Sequence, residues 1–160
     1  MRTILVLLAF TSLTFGQDLD RVFYLTHTDT TQQFLEVATV IRTIANIQQV
    51  STDNDQKSVN VHTSAAQIAM AEWLFNELDN PAIQPSVQHE YRAPGGADDV
   101  VRVFYISAAP TVQDFQEIAT LVRTIANITR VFTYNAPKAL VVRDTAAQIQ
   151  LGAVEVGDDV

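Results

Sequence analysis

The chain is written twice. Arg21-Val22-Phe23-Tyr24 returns as Arg102-Val103-Phe104-Tyr105, Arg42 to Ile47 returns as Arg123 to Ile128, and Ala65-Ala66-Gln67-Ile68 returns as Ala146-Ala147-Gln148-Ile149. Each pair lies 81 positions apart with no gap between, and roughly half of the aligned positions are identical. A constant offset marks one structural unit used twice, so a fold that suits the first copy must also suit the second.

The unit opens with Arg21 to Leu25, a β-branched and aromatic run fit for a strand. Thr30 with Gln33 then has the spacing of a helix capping box, and Thr111 with Asp114, just after Pro110, is a comparable start signal in the second copy. Phe34, Val37, Ala38, Ile41, Ile44 and Ala45 follow at helical spacing, and Asn46 is a fitting left-handed stop. Two short strand-like runs, Gln49 to Thr52 and Ser58 to His62, flank the turn-rich Asp53-Asn54-Asp55-Gln56; Arg130 to Tyr134 and Ala139 to Arg143 do the same around Asn135-Ala136-Pro137. A second helix starts at Ser64 or Thr145, each with Gln three residues on, and turns Ile68, Ala71, Phe75 and Leu78 inward. The predicted class is α+β, with two tandem βαββα units of KH-like order, each placing two helices on one face of a three-stranded sheet. The expected organisation is 1–16 signal peptide, 17–80 first unit, 81–99 linker and 100–160 second unit. The linker carries Pro81, Pro85, Pro94, Gly95 and Gly96, with Gln88 to Arg92 expected to be extended against a neighbour.

The first sixteen residues stand outside the duplication. Met1-Arg2, the apolar run Ile4 to Phe10 and the small Gly16 read as a secretory signal peptide cut before Gln17, because the run is shorter than the about 20 residues a membrane span needs. The expected location is the periplasm or the medium. The chain has no cysteine, so its stability must come from its core alone. Its net charge is −8, and losing Arg2 leaves 9 basic against 18 acidic residues, a net −9 that repels nucleic acid and anionic lipid.

The hairpin Asp53 to Val61, then Thr63, and the run Ile68 to Leu78-Asp79-Asn80-Pro81, resemble the ending of the small periplasmic domains of secretins, the outer-membrane pores of type II and type III secretion and of type IV pili. The second copy matches through Lys138 to Thr145. The resemblance implies a KH-like fold and a non-enzymatic role in ring building or in docking envelope partners, without cofactors. It supplies no functional residue, and the segment that forms the outer-membrane barrel of a secretin is absent from this sequence. The second copy also departs from the first after Ile149, where Gln150 to Val156 replaces Ala69 to Phe75. An identity that stops at one residue is what a frameshift produces, so the second unit is expected to be altered or incomplete at its last helix; if that helix fails to form, Leu140 and Val142 are left undercovered. A segment resembling Glu72 to Leu78 in another reading frame past codon 149 tests that expectation.

Chemical motifs are weak. His27, His62 and His89 are not at metal-ligand spacing with one another, and Asp53 with Asp55 lacks the glycine and the distal Glu of a calcium loop. No serine sits in a glycine-flanked elbow, and Pro94-Gly95-Gly96 is too short to cradle phosphate. No catalytic, cofactor or metal residue is assigned. The clamping two-glycine loop that a nucleic-acid-binding KH domain needs is missing as well. The interface candidates are Phe23, Tyr24, Phe104 and Tyr105, which put an aromatic on each face of the first strand of each unit, and Trp73, off the main stripe of its helix. Trp73 also reads as a core edge covered by the segment that follows. The expected partners are other proteins or further copies of the chain; an exported enzyme or ligand-binding protein reusing the fold, and a remnant of a longer array, are the alternatives.

Overall fold

In the computed structural model residues 18–80, 89–94 and 98–156 are described, so the stretch expected to be a signal peptide lies outside the described residues. Local chemistry sets the helices. Thr30 caps α1 (Thr31–Ile44) by accepting the backbone N–H of Gln33, whose side chain accepts the N–H of Thr30 in return. Thr111 and Asp114 form the same reciprocal pair at α3 (Val112–Ile125). Both helices stop where an asparagine takes a left-handed backbone, Asn46 at φ 56° and Asn127 at φ 52°.

Ahead of these helices lie β1 (Leu19–Tyr24) and β5 (Val100–Tyr105); after them come the hairpins β2 (Gln49–Asp53) with β3 (Ser58–Thr63), and β6 (Arg130–Tyr134) with β7 (Ala139–Asp144). The helices α2 (Ala65–Leu78) and α4 (Ala146–Val156) close the two halves. The first sheet has the order β1-β3-β2, and every cross-strand pair in it recurs 81 residues on: Leu19 with Thr63 becomes Val100 with Asp144, and Gln49 with His62 becomes Arg130 with Arg143. The turns repeat too. Lys57 (φ 48°) and Lys138 (φ 52°) hold the left-handed backbone of the hairpin turn, and their ammonium groups donate to the carbonyls of Thr28 and Ala109 respectively. A non-glycine residue in that region is uncommon, and the same latch holds the lysine at both positions.

Two expectations need correction. The second sheet has four strands, not three: β4 (His89–Arg92) pairs antiparallel with β5, giving the order β4-β5-β7-β6. The strand falls in the Gln88 to Arg92 stretch expected to be extended, and it covers an edge of β5 that would otherwise present unpaired backbone groups. The last helix also forms despite its changed sequence, and Leu140 and Val142 are fully buried beneath it. Gly152 stands where the first copy has Ala71; a Cβ there would lie 3.2 Å from Ile128 Cδ1, so the glycine lets α4 approach the end of α3 closely.

The layers explain the cores. One core joins Phe23, Val59 and Val61 of the first sheet to α1 and α2, and continues into Val101, Val103 and Val141 of the second sheet. The other lies between the opposite face of the second sheet, with Phe104, Leu140 and Val142, and Phe115, Val122, Ile149 and Ala153 of α3 and α4. The molecule is therefore sheet, helices, sheet, helices. The helix pair α1 and α2 is covered on two sides, which is why Val40, Met70 and Leu74 are buried although they lie off the inward stripes read from the sequence, while Ile68 and Phe75 are only partly buried.

Ile149→Ala is expected to cost about 2–5 kcal/mol, as deletion of a fully buried branched side chain does. Leu151→Ala, on the exposed side of α4, is expected to stay within about 0.5 kcal/mol. Urea denaturation followed by circular dichroism reads both; equal, negligible effects would mean that α4 does not pack in solution.

Candidate functional site

The contact between the two halves shows what faces of this kind do when they meet. The carboxylate of Glu36 on α1 accepts the backbone N–H of Asn135 and its side-chain amide, both at 3.0 Å. Arg143, on β7, donates to the Ile44 carbonyl at the end of α1 at 2.6 Å and holds Asp99 through two further bonds at 2.9 and 2.6 Å. On α2, Glu77 accepts the Tyr105 hydroxyl at 2.9 Å and lies 2.5 Å from the His89 ring nitrogen. Trp73 packs on Tyr91 of β4 with ring centroids 5.7 Å apart. An apolar centre of Val40, Ile44 and Met70 against the valines of the second sheet is thus ringed by charge-assisted hydrogen bonds.

The five interface candidates divide by face. Phe23 turns inward and stacks on Phe75 at 5.3 Å, and Phe104 is buried under Arg102, whose guanidinium carbon sits 5.7 Å from its ring. Tyr105 and Trp73 sit in the contact between the halves, Tyr105 with its ring edge-on to His89. Tyr24 is exposed on the outer face of the first sheet. A shallow open depression on that face is lined by Asp20, Val22, Ser51, Asn60 and His62, with His62 2.8 Å from Asp20. It is open to solvent, not a deep cleft of converging groups. Among the described residues there is no group of three or more His, Cys, Asp or Glu that could hold a metal ion, and no helix is long and apolar enough to cross a membrane.

Sequence reasoning did not single out the other end. Leu121 and Ile125 on α3 are 45% and 58% exposed, and Leu151 and Val154 on α4 are 55% and 68% exposed. At an offset of 81 they match Val40 and Ile44, each 0% exposed, Met70 at 4%, and the half-buried Trp73. The signal was present in the duplication itself. Apolar residues recur on the side of the helix that does not meet its own sheet, which a single amphipathic stripe does not require.

Buried groups in the internal contact are shifted. Burial, then the adjacent Glu77 carboxylate, raises the Tyr105 phenol well above its usual range. Burial, then the carboxylates of Glu36, Asp79 and Asp29, pushes Tyr134 up to about 12. The hydrogen bonds from Arg143 hold the Asp99 carboxyl below its ordinary value.

No protein-family model matches the chain, and no curated protein matches it in sequence. Among solved structures it is similar to the N-terminal domain of the secretin XcpQ from Pseudomonas aeruginosa, at 14% identity and a TM-score of 0.35, with 84% of this chain and 60% of that chain covered. A dimeric mutant of the same domain gives the same values. It is also similar to Aeromonas hydrophila ExeD at 16% identity and a TM-score of 0.32, with 89% of this chain and 28% of that chain covered. The chain thus spans less than two thirds of the length of these structures. At such scores the likeness is too distant to bear on chemistry or partners.

The shifted groups set two limbs of a stability profile. Asp99 has a folded pKa below its unfolded value of about 3.9, so its contribution is present above that value and is lost as the pH falls through the folded one. Tyr105 and Tyr134 keep protons that an unfolded chain releases from about pH 10, so stability falls as the pH rises past that point. Denaturant melts across pH should show Asp99→Asn flattening only the acid limb and Tyr105→Phe only the alkaline one. Unchanged slopes would contradict the Arg143 and Glu77 pairings.

Proposed function

We propose that the chain is a non-enzymatic, exported module of the cell envelope, with two tandem KH-like βαββα units spanning 17–80 and 100–160, whose work is to hold other proteins through the faces of those units. The observation that carries this reading is the exposed apolar face of α3 and α4, Leu121, Ile125, Leu151 and Val154, whose counterparts in the first copy are buried in a contact between units. Large apolar side chains gathered on one exposed face mark a binding surface. The internal contact joins the helix face of one copy to the sheet face of the next, a head-to-tail arrangement that leaves a free face at each end.

The secretin-like reading, and with it a periplasmic place in a secretion or pilus assembly, rests on the sequence resemblance. A physical reason stands behind its Leu-Asp ending. Asp79, buried at the end of α2, accepts the N–H and hydroxyl of Thr26 and the N–H of His27, at 2.9, 3.0 and 2.8 Å, and so ties the last helix to the loop after the first strand. Such a pair maintains the unit and performs no reaction.

A photo-crosslinking residue at Ile125 or Leu151 of the full chain, expressed in its own host, is expected to give a discrete adduct with an envelope protein or a second copy. The same residue at Val112, exposed but about two and a half turns from Leu121 and so on the other side of α3, is the control. Adducts of equal yield from all three positions, or none from any, would overturn the reading.

A further inference from the structure

The two copies differ in which face they leave fit for a neighbour. On the side of the second sheet that receives α1 and α2 stand Val101, Phe132, Tyr134 and Val141. At the same register the outer face of the first sheet carries Asp20, Ser51, Asp53 and Asn60, and retains large apolar side chains at Val22 and Tyr24, in the places of Val103 and Tyr105. Covering that face with an apolar helix layer would strip water from two carboxylates and an amide without offering partners, a cost of several kcal/mol for such groups. A polar outer face is what closes the end of a stack of repeats. The helix face at the opposite end shows the reverse pattern, with Leu121, Ile125, Leu151 and Val154 in the places of Val40, Ile44, Met70 and Trp73.

Resting on the assembly reading above, we infer that the outer face of α3 and α4 is a socket for the apolar sheet face of another βαββα unit, and that the outer face of the first sheet is a cap. The chain is then the end piece of a stack that extends only past α4. The internal contact defines the chemistry of the occupant. It presents valine and aromatic side chains at alternate positions of an antiparallel sheet, as Val101, Val103, Phe132 and Val141 do. Its hairpin turn offers N–H donors to Glu117, the exposed counterpart of Glu36, as Asn135 offers them to Glu36. A guanidinium at its edge reaches the Ile125 carbonyl, as that of Arg143 reaches the Ile44 carbonyl. A second copy of this chain does not supply such a face, since its second sheet is already covered by α1 and α2 and its first has Asp20, Ser51, Asp53 and Asn60 where the valines and aromatics would be needed.

The test supplies the missing face on the chain itself. Asp20→Val, Ser51→Phe and Asn60→Val together give the first sheet the residues of the second at those positions. In sedimentation velocity the triple variant is expected to form a concentration-dependent ladder, its weight-average mass rising several-fold above the 17.7 kDa of one chain. Adding Ile125→Lys should abolish the ladder, and that quadruple variant mixed with the unaltered chain should form a 1:1 complex. A triple variant that is folded by circular dichroism yet stays monomeric, or a ladder that survives Ile125→Lys, would overturn the proposal. So would an unaltered chain that dimerises and loses its dimer with Ile125→Lys, since the face would then be taking another copy's helices. Should the triple variant not fold, Ser51→Phe alone is expected to give weaker association at higher concentration, and its absence counts against the proposal. These arms use only this chain, so they separate failure of the face's chemistry from the lack of a partner in the cell.

Discussion

One helix layer serves two sheets, and most of the structure follows from that sharing. The pair α1 and α2 buries one side on β1-β3-β2 and the other on the second sheet, with Val37, Val40, Ile41, Ile44, Ala71 and Leu74 left without exposed surface. A unit of about 60 residues is near the lower limit for holding a core alone. Contact with a second sheet adds to the apolar surface that these helices remove from water. In a chain with no disulfide this is the means by which units of this size gain stability. The second sheet experiences the same sharing from its own side. β5 and β7 are buried almost throughout, whereas β1 is exposed at all positions but Phe23. The sequence difference is that of strands covered on both faces against strands covered on one, continuous valines in Val100-Val101 and Val141-Val142 against alternation in Val59-Asn60-Val61.

The polar contacts around this layer fix how the sheets sit on it. Glu36, Glu77 and Arg143 each bridge the halves, and each pairs with a donor or acceptor that burial would otherwise strand. Arg143 is the most constrained, since its guanidinium serves both the Ile44 carbonyl and Asp99. In the first sheet its position is taken by His62, which turns to Asp20 on the same open face. One register position thus holds a cation that joins layers where a layer is present, and a local pair where none is.

What could be read from the residues was what local chemistry determines. Capping boxes at Thr30 and Thr111, left-handed stops at Asn46 and Asn127, and both hairpins are set by groups within a few residues of one another, so they lie where composition and spacing put them. Burial of Val40, Met70 and Leu74 was not legible from a single copy, because periodicity reports one face of a helix and the second covering layer comes from sheet residues far along the chain. The lysines at the hairpin turns escaped notice because lysine carries no turn signal. Their role depends on a carbonyl 29 residues away in both copies. The last helix was misjudged by its lost identity. Ala146 to Ile149 still supplies a strong start, Ile149 repeats Ile68, and Ala153, where the first copy has Glu72, adds a further apolar inward position, so the helix can pack on Leu140 and Val142.

Duplication sharpens the reading of surface residues in a way that single domains do not allow. For an isolated domain, an exposed leucine is ordinary, since over half of a folded surface is apolar. Here each position has an internal control 81 residues away. Leu121 and Ile125 share the apolar character of Val40 and Ile44 although no described element covers them, while the opposite sheet face carries Asp20, Ser51, Asp53 and Asn60 where the second sheet has valine and aromatic residues, with Val22 and Tyr24 still apolar. The sheet end is mostly polar and the helix end is not. The asymmetry is therefore informative about use, and it assigns the two ends of one molecule different roles from residues that make no contact with each other.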